Sequence, residues 1–383
     1  MRRLGSLLGL SGLAVVSCLV PDLELVRNLP GAAGAAGTAG GTGAAGNGSN
    51  TKGGSSANAG TQNGSAGISA GGTDATDGGA PPLGTAGDAQ GGEGNGPLDD
   101  SALSCAALSK TACHGESCCT QLPVPGCTDC DGTDGKYTVS PLVLDKYEVT
   151  VGRFRAFVEA YDGPPAIGVG AHPKVPGSGW LAEWNGNMPT DSKALASAME
   201  FRECKLLAVR TWTSEPGVNE QKPANCLTWY EAFAFCAWDG GFLPSELDWQ
   251  AAAIGGNENR MYPWDGATLD SEHALYGACS GASPKCDLSS ILEVGSKPAG
   301  AGKQGHLDLI GSVWEWVLDS PNDSKLPVSQ PCNDCASLGV SNYRAIRGGS
   351  WAEDVSYQSP TRRVVDPADS SWYNIGIRCA HAP

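Results

Sequence analysis

Residues 343–363 read YRAIRGGSWAEDVSYQSPTRR, and the fold is decided here. Residues 344–347 predict a short strand, and Gly348-Gly349 then turns the chain. Ser350 follows the turn, but no histidine is placed by spacing to activate it. His306, before Asp308, reads as a solvated loop residue. Glu353 and Asp354 are adjacent carboxylates with Arg362 and Arg363 nearby in sequence, a pattern expected to form an ion-paired surface network. No cysteine lies between Cys335 and Cys379.

Upstream, three helix starts are legible. Thr150 can cap a helix in which Phe154, Phe157 and Val158 share a face. Thr228-Trp229-Tyr230-Glu231 fits a capping box, with the helix running on through Phe233 and Cys236. Ser245-Glu246-Leu247-Asp248 starts a third helix, carrying Trp249 and Ala253. Beyond Ala253 no strong helical period remains. Loops and short strands such as 344–347 and 376–380 are expected there. Gly and Pro punctuate the whole of 137–383, a stretch long enough for one large core or two small ones. All 11 tryptophans lie between Trp180 and Trp372. Most should be core, with a minority lining a groove.

The N-terminus speaks to the compartment. Arg2 and Arg3 precede an apolar run over 4–16, too short to span a bilayer, which reads as a secretory signal over residues 1–18. Val15-Val16-Ser17-Cys18 resembles a bacterial lipobox, with Cys18 as the lipidated residue; the alternative is an ordinary signal with an incidental cysteine. Of 15 cysteines, committing Cys18 to lipid leaves 15 − 1 = 14, an even number. Residues 19–103 are dominated by Gly, Ala, Ser, Thr and Asn and cannot offset their backbone entropy by burial. They read as a disordered tether of about 80 residues spanning roughly 50 Å. Residues 104–131 form a segment with Cys105, Cys113, Cys118, Cys119, Cys127 and Cys130. Zinc is one reading, but an oxidising compartment and scarce histidine favour three disulfides. The net charge is −16, and loss of Arg2 and Arg3 makes it 23 − 41 = −18. So acidic a chain disfavours nucleic acid and anionic headgroups, leaving the membrane to be reached through the lipid on Cys18. The expected location is the bacterial cell envelope or outer surface.

Seven ordered blocks then point one way. They are LDKYEVT (144–150), ANCLTWYEAFAFCAW (224–238), GFLPSELDWQAAA (241–253), YPW (262–264), DLIGSVWEWVLD (308–319), RGGSW (347–351) and NIGIRCA (374–380). Together they resemble the formylglycine-generating enzyme, or sulfatase-modifying factor, family over nearly all of 140–383. The resemblance implies one α+β domain of low secondary-structure content, related to C-type lectins, over 137–383. It also implies a Cys236–Cys379 disulfide. Proximity adds Cys204–Cys226, Cys279–Cys286 and Cys332–Cys335, the last with a redox-active reading left open.

The resemblance also implies two copper-holding thiolates just after the Gly-Gly-Ser-aromatic turn. Those positions here are Glu353 and Gln358, which cannot replace soft sulfur ligands, so copper is not expected. Trp316, Ser350 and Tyr357 match residues lining the family's pocket. A family calcium site corresponds to Ser312 and Glu315. Ser312 lacks the family's amide oxygen, which weakens a site needing six to eight oxygens; Glu315 reads equally as a buried carboxylate bonded to backbone amides. The leading expectation is a surface-tethered, non-oxidase member that binds a protein, peptide or glycan ligand. A formylglycine-generating oxidase and a structural envelope or adhesion protein are the alternatives.

Overall fold

A computed structural model describes residues 102–383 apart from 107, 111, 133–134, 205–208, 280–286, 321–330 and 340. The signal segment, Cys18, most of the tether and Cys286 lie outside the described residues.

Three small sheets organise the domain. In the first, β1 (Gln121–Val124) and β10 (Ala380–His381) flank β4 (Leu142–Asp145), with Leu122 and Ala380 both opposite Leu144. The second places β2 (Cys127–Gly132), β3 (Gly135–Val139) and β6 (Cys332–Asn333) side by side. The third runs β8 (Val364–Pro367), β7 (Tyr343–Arg347), β5 (Trp314–Trp316), β9 (Ile375–Ile377). The cysteine-rich segment therefore supplies β1 and β2 to sheets completed by strands from the rest of the domain.

Side-chain alternation divides the third sheet's two faces. Trp314, Trp316, Ile346, Ile375 and Ile377 pack into the main core with α1 (Val151–Ala160) and α3 (Trp229–Trp238). On the other face Val317 and Ala345 meet Trp249 and Ala253 of α4 (Glu246–Ala253). Helix α3 is buried on every side from Trp229 to Cys236, so only capping marks its start: Thr228 and Glu231 satisfy each other's backbone N–H groups. Ser245 and Asp248 cap α4 in the same way, and the Thr150 hydroxyl accepts from Arg153 N at the start of α1. A helix not expected from the sequence, α2 (Ser192–Phe201), is capped by Asp191 and buries Leu195 and Met199 one turn apart.

Arg153 ties the parts together. Fully buried, it donates to Asp145 at 2.8 Å, Asp239 at 2.7 Å and Ser104 Oγ at 3.0 Å. Arg153 and His381 outweigh the effect of burial and lower the Asp145 pKa to about 2. The cysteine-rich segment closes as disulfides, Cys105–Cys119, Cys113–Cys118 and Cys127–Cys130. Cys204–Cys226, Cys236–Cys379 and Cys332–Cys335 also pair as expected. Cys279 is disulfide-bonded. His306 is a correction: it is not a solvated loop residue but wholly buried, and burial pushes its pKa down to about 3.

Candidate functional site

The turn after β7 is built on two left-handed glycines, Gly348 (φ 102°) and Gly349 (φ 80°). A Cβ on Gly349 would lie 2.3 Å from Gln358 Oε1, so the glycine leaves room for that amide. Backbone hydrogen bonds clamp residues 351–353: Trp351 N donates to Ser312 O, Ala278 N to Trp351 O, and Gly277 N to Glu353 O. Pairing of β5 with β9 brings in Asn374, whose carbonyl accepts from Trp314 N at 2.8 Å.

Ser350, Glu353, Gln358 and Asn374 then form one buried network. The Ser350 hydroxyl donates to Glu353 Oε2 and accepts from Ala352 N at 3.2 Å. Asn374 Nδ2 donates to Glu353 Oε1 at 2.7 Å and to Ser350 Oγ at 3.3 Å. Gln358 Nε2 donates to Ser350 O at 3.0 Å. Burial raises the Glu353 pKa above the ordinary range, against the opposing donors from Ser350 and Asn374. The two positions expected to hold thiolates thus carry a buried carboxyl and a buried amide. The arrangement can hold and orient a turn; it offers no thiolate for copper or redox chemistry. Among the described residues no histidine bonds to Ser350.

The Tyr357 ring lies 6.4 Å edge-on from Trp314 and beneath the Arg362 guanidinium. Trp316 is buried in the core and donates its indole N–H to Leu227 O at 3.0 Å, so the tryptophan beside Glu353 is Trp314. The expected surface network of Glu353, Asp354, Arg362 and Arg363 is corrected. Glu353 is buried, Asp354 caps a short turn at Ser356 N, and Arg363 pairs with Glu246 at 2.8 Å. Sequence reading missed Trp314 and Asn374. The DLIGSVWEWVLD and NIGIRCA blocks contained both, but only strand pairing shows that they converge.

Ser312 and Glu315, the positions of the family's calcium site, are both engaged by protein groups here. Glu315 is bound by the Arg378 guanidinium at 2.8–3.1 Å and by Trp249 Nε1 at 2.7 Å, rather than by backbone amides. The Ser312 hydroxyl donates to Glu148 at 2.8 Å. Burial pushes the neighbouring Asp308 up to about 6 and raises Glu148 as well, Asp308 and Glu315 adding to the latter. A hard cation would have to displace an arginine that already neutralises the site. Among the described residues no group of three or more metal-ligating side chains is arranged to hold an ion.

Away from this network a groove of about 580 Å³ opens between α3, the end of β7 and a short 3₁₀ helix, Ala182–Asn187. Trp184, Trp229 and Tyr230 wall it on one side and Tyr343 and Arg344 on the other.

The model of the sulfatase-modifying factor enzyme 1-like domain matches residues 119–383, and the chain belongs to this family. It is similar to the inactive C-alpha-formylglycine-generating enzyme 2 of Mus musculus, 27% identical over 278 residues, covering 65% of this chain and 80% of that protein. It is also similar to the formylglycine-generating enzyme of Thermomonospora curvata, 24% identical, covering 67% and 86%. Among solved structures it is similar to PvdO from Pseudomonas aeruginosa, 22% identical with a TM-score of 0.45, covering 69% and 94%.

Proposed function

We propose that this chain is a non-oxidase member of its family that binds a ligand or partner while tethered to the cell envelope through lipid on Cys18. The observation that carries the first part is the closed network at the thiol positions. Glu353 and Gln358 are buried and bonded to Ser350, so the turn is spent on holding its own shape. A relative described as inactive, the mouse protein, supports the same reading. The groove beside α3 is the surface offered for binding.

The test is direct. The purified chain is incubated with copper and a peptide of the Cys-x-Pro-x-Arg kind, and the peptide is weighed by mass spectrometry. The peptide cysteine should remain a thiol. Its conversion to an aldehyde would overturn the proposal. For the tether, a lipid mass on Cys18 and release of a Cys18→Ala variant from membranes are the expected results.

A further inference from the structure

Arg344 is the unusual residue of the groove. It is buried, 6% exposed, on strand β7. Its guanidinium stacks on Trp229 at 4.3 Å and reaches Trp184 at 5.9 Å. Its hydrogen bonds go to neutral carbonyls alone, Ser341 O at 2.7 Å and Tyr343 O at 3.0 Å. Its Nε has no partner, and among the described residues no carboxylate forms an ion pair with it. The other buried arginines, Arg153, Arg155, Arg347 and Arg378, each have a glutamate or aspartate in contact. Burial lowers the Arg344 pKa against the opposing fields of Tyr230 and Asp319, neither of which reaches it as a hydrogen-bond or ion-pair partner. A buried cation in this state is costly unless a ligand completes it.

We infer that the groove binds a sugar acid, a pyranose ring carrying one carboxylate, with that carboxylate on Arg344; this rests on the ligand-binding reading above. Nη1 is taken by the two carbonyls and Nε is buried, which leaves Nη2 as the donor for a carboxylate. Half-exposed Trp184 and Tyr343 supply flat faces of the kind a pyranose ring packs against. Exposed Asn187 and Asn342 and half-exposed Ser341 offer amides and a hydroxyl for ring hydroxyls. Exposed Glu183 and Asp369 also line the groove. They accept hydroxyl hydrogens but repel a second negative charge, which favours a single carboxylate over phosphate or a polyanion.

The full chain is titrated with glucuronate and galacturonate, with glucose and galactose as neutral counterparts, and with acetate as a carboxylate lacking the ring. Calorimetry and tryptophan fluorescence follow binding. A sugar acid should saturate the site, with its neutral counterpart and acetate each weaker by about tenfold or more. Arg344→Gln should abolish the preference for the acid. Trp184→Leu, at a half-exposed position, should weaken acid and neutral sugar alike and serves if Arg344→Gln fails to fold. Equal binding of acid and neutral sugar, a preference that survives Arg344→Gln, or no saturation by either acid at tens of millimolar would each overturn the inference. Aldehyde formation on the sulfatase peptide would instead overturn the proposed function, and the sugar titration reads out independently of it.

Discussion

Glu353 is the side chain on which the reading of the site turns, and two substitutions separate its roles. Glu353→Ala removes the acceptor of the Ser350 hydroxyl and the nearer acceptor of Asn374 Nδ2. Leaving buried donors unsatisfied costs about 1–3 kcal/mol each. Asn374 keeps its longer contact to Ser350 at 3.3 Å, which places the total at about 2–5 kcal/mol with the cavity included. Glu353→Gln retains the shape and one acceptor and should cost about 1 kcal/mol. Their pH dependence separates them further. Because the folded Glu353 pKa is raised, the folded protein holds this proton more tightly than the unfolded chain. The stability that it contributes is full below the ordinary glutamate pKa and is lost as pH rises through the folded value. Glutamine cannot ionise, so Glu353→Gln should gain stability relative to the parent between about pH 4 and pH 8. Urea unfolding at both pH values measures this. Parallel curves for parent and Gln variant, or an Ala variant costing under about 1 kcal/mol, would refute a buried, proton-holding carboxyl.

Two further outcomes rest on the same physics. Arg153→Met strands two buried carboxylates, Asp145 and Asp239, and should cost about 3–5 kcal/mol at neutral pH. The depressed Asp145 pKa stabilises the fold above the ordinary aspartate value and is lost as pH falls towards about 2, so the cost should shrink in acid, as unfolding curves at pH 7 and pH 3 would report. His306 stays neutral in the fold, with its pKa down from 6.5 to about 3. It contributes stability above pH 6.5 that is lost as the unfolded chain takes up the proton, with a ceiling of about 5 kcal/mol. His306→Leu should therefore flatten the acid limb of a melting-temperature profile, and an unchanged limb would count against this.

Local chemistry was legible and long-range convergence was not. Thr150, Thr228 and Ser245 mark helix starts because capping is settled within four residues. Helix α2 carried the same kind of mark in Asp191, with Leu195 and Met199 at one-turn spacing, and could have been found. The family blocks identified the fold because they keep their order. Glu353 was misread because its sequence neighbours are charged, whereas its partner Asn374 arrives from the turn before β9, 21 residues on. His306 likewise comes after a Gly-rich stretch that reads as surface, yet the fold encloses it. Trp314 and Trp316 share one face of β5, so alternation alone could not say which of them reaches Glu353.

The contact between Gly349 and Gln358 makes the site hard to reverse. A thiol at 358 alone would leave the Ser350 carbonyl without its donor, and a thiol at 353 alone would strand the Ser350 hydroxyl and weaken the hold on Asn374. Each single step back towards a dithiol passes through a looser turn, and only the double change would place two sulfurs there. The turn behaves as a ratchet: a chain that has reached this arrangement is held in it by its own hydrogen bonds.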